Sequence, residues 1–177
     1  QGSGIFVYNS NLIKKVYFPR EILPISTVTA GLINFFISCI IILIFVLLGG
    51  CGISWHLIFL PFIALIQYIF SLALVFLISA LNVYIRDVEY IVVFILNMLF
   101  YATPVLYSYE MFAGTNLIWL FRLNPMAHLI NAYRDIFYVH AIPKIGNLMM
   151  VFGVSILLLV ICYFIFKKLE KRFAEEL

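Results

Sequence analysis

Few side chains in this sequence have the types and spacings that catalysis requires. The histidines and cysteines are His56, His128, His140, Cys39, Cys51 and Cys162. The histidines lack the mutual spacing of metal ligands, and no cysteine lies in a CxxC pair. The acidic cluster of Asp87 and Glu89 adjoins Arg86, which we expect to pair with it. P-loop, HExxH and GxSxG motifs are absent, so the sequence predicts no catalytic residue, no bound metal and no cofactor.

The composition of the chain is far too apolar for a soluble protein. Its 177 residues are 66% hydrophobic and 11% charged, with a mean hydropathy of +1.15. Soluble domains are roughly 45–50% apolar and about 25% charged, and small domains have too much surface per residue to hide the excess. Lipid must therefore solvate much of the chain, and the net charge of +3 gives no sign of nucleic-acid binding. We predict an all-α polytopic transmembrane helix bundle.

The charged residues divide the sequence into apolar runs of membrane-spanning length. Residues 22–85 contain no Asp, Glu, Lys or Arg, and because one span needs about 20 residues, this stretch holds two. Glycines at 49, 50 and 52 supply the turn between them, and Pro104 interrupts the third run. The four predicted spans are Ile22–Leu48, Leu57–Tyr84, Tyr90 to about Tyr101, and Ile145–Phe166.

The distribution of basic residues supports this count of four. Four spans place the N-terminal segment, the turn near residue 86 and the C-terminal tail on one side, which then holds most of the 11 Lys and Arg residues. Those on this side are Lys14, Lys15, Arg20, Arg86, Lys167, Lys168, Lys171 and Arg172. The other side holds Arg122, Arg134 and Lys144. By the positive-inside rule, both termini are predicted to be cytoplasmic.

Residues 105–144 are too apolar for an ordinary loop and too charged for a simple span. Asn124 and Pro125 indicate a helix start, because Asn is a favoured cap and Pro suits the first helical position. Arg134 and Asp135 follow on the same predicted helix. We interpret residues 105–144 as an outer re-entrant or interfacial helical hairpin, whose backbone the rest of the bundle shields.

Polar side chains also occur inside the predicted spans. In the first span Ser26, Ala30, Asn34 and Ser38 recur every four residues and so share one face. Small and polar faces usually indicate close helix packing. The alternative is a polar translocation path between subunits, since such residues must face protein or water. The candidates for that path are Asn34, Gln67, Asn97 and Tyr101.

A short amphipathic segment, residues 9–21, leads directly into the first span. Its charged and aromatic side chains are Lys14, Lys15, Tyr17, Phe18, Arg20 and Glu21. Two interpretations of the segment remain open from its composition. It is either a lysine-rich anchor on anionic lipid or a coupling helix that docks into another protein.

Three stretches of the sequence together resemble a known family. They are residues 11–24 (NLIKKVYFPREILP), 81–90 (LNVYIRDVEY) and 123–135 (LNPMAHLINAYRD). In this order they are similar to the permease subunits of bacterial type-two ABC exporters. The resemblance is to the group that exports polysaccharide or polyol phosphate, such as O-antigen, capsule or wall teichoic acid, and it extends over nearly the whole chain.

This resemblance implies a transporter of two permeases and two ATP-binding cassette ATPase subunits in the bacterial cytoplasmic membrane, with the path between the permeases. Lys14–Glu21 resembles the cytoplasmic region that contacts the ATPase, and residues 105–144 resemble short re-entrant helices near the outer mouth. The implied substrate is a lipid-linked glycan or polyol-phosphate polymer. ATP hydrolysis would occur on the partner, so the chain itself is not expected to be an enzyme.

The sequence departs from the family in its number of spans. Family members have six spans after an amphipathic helix, whereas about four are predicted here. We therefore expect residues 1–177 to form a single transmembrane permease domain that is N-terminally incomplete, the C-terminal part of a six-span permease. The nearest alternative is a type-two permease that exports a drug or small lipid. A membrane-embedded glycan transferase and a secondary transporter are disfavoured, because the required clustered or buried carboxylates are missing from the predicted spans.

Overall fold

The computed structural model describes residues 2–9, 19–49, 54–103 and 124–173, and the regular elements in these ranges are all helical. The α-helices are α1 (Ile5–Tyr8), α2 (Ile22–Leu48), α3 (Leu60–Tyr84), α4 (Val88–Ala102), α5 (Pro125–Arg134) and α6 (Ile145–Glu170). A 3-10 turn, Trp55–Phe59, precedes α3, and a π-helical turn, Asp135–Val139, follows α5. The predicted all-α class is confirmed.

Three helical stretches are long and apolar enough to cross a membrane: Ile22–Leu48, Trp55–Tyr84 and Ile145–Glu170. The first has the predicted bounds, and the other two exceed the predicted spans by a few residues at one end. The remaining predicted span corresponds to α4, whose 15 residues fall short of the about 20 that a span needs. Residues 104–123, which follow α4, lie outside the described ranges.

The start of α2 is built on the backbone of residues 19–21. The amide of Ile25 donates to the Glu21 carbonyl at 3.2 Å, and preceding amides donate to Pro19 and Arg20. Pro24 lies in the first turn, where a missing N–H costs no intrahelical hydrogen bond. Along α2 only Pro24, Val28 and Cys39 are buried, so most of the surface of this helix is open to lipid or to other protein.

The chain divides into two compact units, the first of which contains Gln1–Phe36, Tyr68–Val93 and Val154–Leu177. Its core is a cluster of aromatic and aliphatic side chains. The buried members are Ile5, Phe6, Phe76, Ala80, Val83, Cys162, Phe166 and Phe173. The Phe166 ring lies 5.8 Å from Phe6, 5.0 Å from Phe76 and 5.9 Å from Phe173. Tilted and edge-to-face ring pairs at these distances stabilise a core beyond their buried area, and here they join α1, α3 and the end of α6.

The second unit contains Ile37–Gln67 and Phe94–Gly153. Within it, α5 buries Ala127, Leu129 and Ala132. The π-helical turn contacts α5 and also the 3-10 turn Trp55–Phe59. The second half of the predicted hairpin is therefore a packed helical element, while residues 105–123 lie outside the described part of the chain.

Candidate functional site

Of the predicted coupling segment, residues 9–21, the structure describes Asn9 and residues 19–21, the latter directly before α2. Its side chains outside the described residues are Lys14, Lys15, Tyr17 and Phe18. Glu21 forms an ion pair with Lys167 of α6 and accepts a hydrogen bond from the Tyr163 hydroxyl at 3.1 Å. Lys167 also lies 3.2 Å from Oε2 of Glu170. The structure thus joins the end of the predicted coupling segment to the last helix of the chain.

Arg20 contacts the same end of α6 by a different route. Its guanidinium donates to the backbone carbonyl of Glu170 and lies 5.7 Å from the centre of the Phe173 ring. Tyr84, at the end of α3, donates its hydroxyl to the Leu169 carbonyl at 2.8 Å. The last carbonyls of a helix have no partner within it. Side chains from two other parts of the chain therefore cap the C-terminal end of α6.

The turn between α3 and α4 carries the acidic cluster. The expectation that Arg86 pairs with Asp87 and Glu89 is wrong: these three residues are described, and no ion pair joins them. Arg86 is instead exposed, and Glu89 accepts a hydrogen bond from the Tyr8 hydroxyl at 2.9 Å. That bond and the charge of Glu89 raise the pKa of Tyr8. The carboxylate of Glu89 thereby connects α1 to the turn between α3 and α4.

The predicted start of the hairpin helix is confirmed. Asn124 is the N-cap of α5, its Oδ1 accepts from the Met126 amide at 3.0 Å, and Pro125 follows in the first turn. The Asn124 amide group also donates to the Thr103 hydroxyl at 3.2 Å. Because Thr103 directly follows α4, this bond joins the end of α4 to the start of α5.

Arg134 and Asp135 lie where α5 passes into the π-helical turn. Burial raises the pKa of the Asp135 carboxyl, and the charges of Lys144 and Arg134 oppose that shift. The turn ends at His140, whose φ of 54° is left-handed. A non-glycine residue adopts this conformation uncommonly. π-helical turns often occur at functional sites in helices.

The candidate path residues differ in their surroundings. Asn34, Asn97 and Tyr101 are exposed, as is every side chain from Val93 to Tyr101. Gln67 is half-buried and accepts a hydrogen bond from the Tyr133 hydroxyl at 2.7 Å. The structure therefore gives Gln67 a role in holding α5, whereas the other three candidates lie on exposed surfaces of α2 and α4.

Hydroxyl groups on α2 are satisfied mainly by their own helix. Ser26 donates to the Leu23 carbonyl at 2.9 Å, and Thr29 donates to the Ile25 carbonyl at 2.7 Å. Such back-bonding lets a hydroxyl face lipid without an unpaired polar group. The position of Ser26 on the shared polar face is therefore explained without a path.

Comparison with known proteins identifies the family. Residues 3–138 match the family model described as ABC-2 type transporter. The chain belongs to the ABC-2 type transporter family. In this ABC-2 chain the matched range includes Arg20, Glu21 and the predicted hairpin as far as Tyr138, and it ends before α6, which holds the partners of Glu21.

The curated relatives of this ABC-2 chain share one name. It is 38% identical to the O-antigen export system permease protein RfbA of Myxococcus xanthus, over 94% of this chain and 65% of the relative. Two proteins of the same name from Klebsiella pneumoniae are 33% and 32% identical, over 97% of this chain and 66% of each relative. The chain thus spans just under two thirds of the length of these relatives.

Sequence reasoning missed most of the side chains that meet Arg20 and Glu21. They are Tyr163, Lys167 and Phe173, and Arg20 also contacts the backbone carbonyl of Glu170. Lys167 was recognised only as part of a basic tail. The available sequence signal was weak. Lys167 and Glu170 are three residues apart at the end of an apolar run, which places them on one helix face. That spacing does not indicate which distant residue they contact.

Proposed function

We propose that this chain acts as a permease subunit of an ATP-driven exporter. The exporter would move a lipid-linked polysaccharide of the O-antigen type, or a chemically similar capsule or teichoic-acid polymer, across the bacterial cytoplasmic membrane. The observation that carries the proposal is the similarity to permeases named for O-antigen export over 94–97% of the chain. Three membrane-length helices in the described residues agree with a role in passage.

The proposal assigns ATP hydrolysis to a separate ATP-binding cassette subunit that acts on Lys14–Glu21. This segment combines aromatic and charged side chains immediately before a membrane-length helix. In a protein groove the rings supply buried area and the charges fix orientation, whereas an anchor on anionic lipid requires only positive charge. The composition of the segment therefore favours docking to protein.

A second copy of the chain would complete the translocation path. Asn34, Asn97 and Tyr101 lie on exposed surfaces of α2 and α4, and polar groups at membrane depth are costly unless they face protein or water. A second permease or a water-filled path would satisfy that requirement. Both termini are assigned to the cytoplasm, because this places most of the basic residues there.

Export itself tests the function. The full-length permease and its ATPase would be expressed in a strain that makes the polymer but lacks its own permease. We expect surface polymer to be restored and the intracellular lipid-linked polymer to fall. Unchanged surface polymer with ATP-dependent efflux of a drug or small lipid would contradict the assigned substrate.

Two double mutants of the full-length permease test the docking role of the segment. Tyr17→Ala with Phe18→Ala should reduce ATPase co-purification and export without loss of membrane insertion. Lys14→Gln with Lys15→Gln should have a smaller effect, because exposed ion pairs typically contribute about 0–1 kcal/mol. Normal ATPase binding in the aromatic mutant, with membrane association lost in the lysine mutant, would show that the segment is a lipid anchor.

A further inference from the structure

The C-terminal end of α6 depends on side chains supplied from far along the chain. Arg20 donates to the carbonyl of Glu170, and Tyr84 donates to the carbonyl of Leu169 at 2.8 Å. Helix ends usually satisfy such carbonyls with local caps or water. Here a residue directly before α2 performs that role, so any shift of Arg20 relative to α6 must break a hydrogen bond or carry the helix end with it.

Opposite charges make a second connection between the same two elements. Lys167 bridges Glu21 and Glu170, and its side chain and that of Glu21 are 44% and 25% exposed. Partial burial reduces solvent screening relative to a fully exposed pair. Tyr163 adds a hydrogen bond to Glu21, and its ring lies 5.9 Å from the Lys167 ammonium group. Lys167 also suits the negative end of the helix dipole.

The contact is seated on the aromatic core of the first unit. Phe173, under the Arg20 guanidinium, is fully buried and lies 5.1 Å from Phe6. Closely packed interiors transmit displacement because they have little free volume. The contacts of Arg20 and Glu21 therefore lie against the packed aromatic core of the first unit and not against a loosely held helix end.

We propose that Arg20, Glu21, Lys167, Glu170 and Phe173 form a clasp that transmits movement of the coupling segment to α6. The coupling segment is already continuous with α2. Through the clasp, movement of the segment would also displace a second membrane-length helix, α6. The inference rests on the proposed function, since it requires an ATPase that displaces residues 14–21. Lys167 and Glu170 are then positioning residues for transport, acting through Arg20 and Glu21.

The test compares neighbouring lysines in the full-length permease with its ATPase. Lys167→Gln removes the ion pair with Glu21, and Lys168→Gln is the matched control, since Lys168 is exposed and makes no ion pair with either glutamate. In membrane vesicles, export and ATP hydrolysis are measured together on equal amounts of complex. We expect Lys167→Gln to lower the polymer exported per ATP several-fold, with ATPase co-purification unchanged and Lys168→Gln like wild type.

Two further variants separate transmission from folding. The exchange of charges, Glu21→Lys with Lys167→Glu, should restore part of the lost export per ATP. Tyr163→Phe keeps the ring in the core but removes the hydrogen bond to Glu21, and should give a smaller loss in the same direction. Export per ATP equal to wild type in both Lys167→Gln and Tyr163→Phe, or loss of export only in proportion to loss of complex, would overturn the clasp. If the wild-type complex exports no polymer, the proposed function fails instead.

Discussion

Tyr133 and Tyr138 are five residues apart and differ in what their hydroxyl groups contribute. Tyr133 is half-buried and donates to Gln67 at 2.7 Å, whereas Tyr138 is 73% exposed. A buried hydrogen bond matters most when its loss leaves a partner without water. At the residue scale, the bond between Tyr133 and Gln67 is therefore one of the contacts that hold α5 within the second unit.

We predict that Tyr133→Phe destabilises the protein by about 1 kcal/mol, because Gln67 loses a donor in a partly buried position. Tyr138→Phe removes the same atom from an exposed ring and should have little effect. The measurement is the thermal melting temperature of the purified full-length protein in detergent. Equal melting temperatures for the two variants would show that the hydrogen bond does not stabilise α5.

Helix ends decide how the elements are joined. Asp is a favoured N-cap residue, but the side chain of Asp87 is not the partner of the Glu89 amide at the start of α4. Instead the amide of Glu89 donates to Oδ1 of Asn82, a buried residue in the last turn of α3, at 3.1 Å. The carbonyl of Asp87 begins the helix by accepting from Ile91. One asparagine thus couples the end of α3 to the start of α4.

We predict that Asn82→Ala lowers stability by about 1 kcal/mol, the usual cost of losing a capping side chain. Asn97→Ala is the control, because Asn97 is exposed in the interior of α4, where Ala has the higher helix propensity. Thermal melting and amide hydrogen exchange at the start of α4 report the difference. If Asn97→Ala proves as destabilising as Asn82→Ala, the cap has no specific role.

At the scale of the whole molecule, charge and the number of membrane crossings together determine orientation. Three helices have membrane-spanning length, and the fourth predicted crossing begins with the 15-residue helix α4. The basic residues predict that the turn at Asp87 and the residues near Lys144 lie on opposite sides of the membrane.

Cysteine labelling in intact cells tests that orientation. In full-length protein lacking Cys51, Lys144→Cys should react with an impermeant thiol reagent from outside, and Asp87→Cys only after permeabilisation. Both positions are exposed, and Cys39 and Cys162 are buried, so their background labelling should be low. Labelling of both new cysteines from the same side would contradict the four-span assignment.

The sequence by itself determined that lipid surrounds much of this protein, that its fold class is all-α, and where many of its helices lie. An uncharged stretch at residues 22–85 can be satisfied in lipid only by helices, because the backbone must pair internally. The bounds of α2 followed from that stretch and its flanking charges, and the cap at Asn124 followed from a local signal. These features depend on neighbouring residues, which a sequence shows directly.

Only the tertiary structure decided which distant side chains meet. Glu21 and Tyr163 are 142 residues apart, and Tyr8 and Glu89 are 81 apart. Sequence proximity favoured Arg86 as the partner of Glu89, but in the fold Glu89 accepts its hydrogen bond from Tyr8 of α1. Helical periodicity shows which residues share a face, but it does not show which other face packs against it. Those pairings arise from the packing of whole helices, and so the contacts of Arg20 and Glu21 with α6 became visible only in the fold.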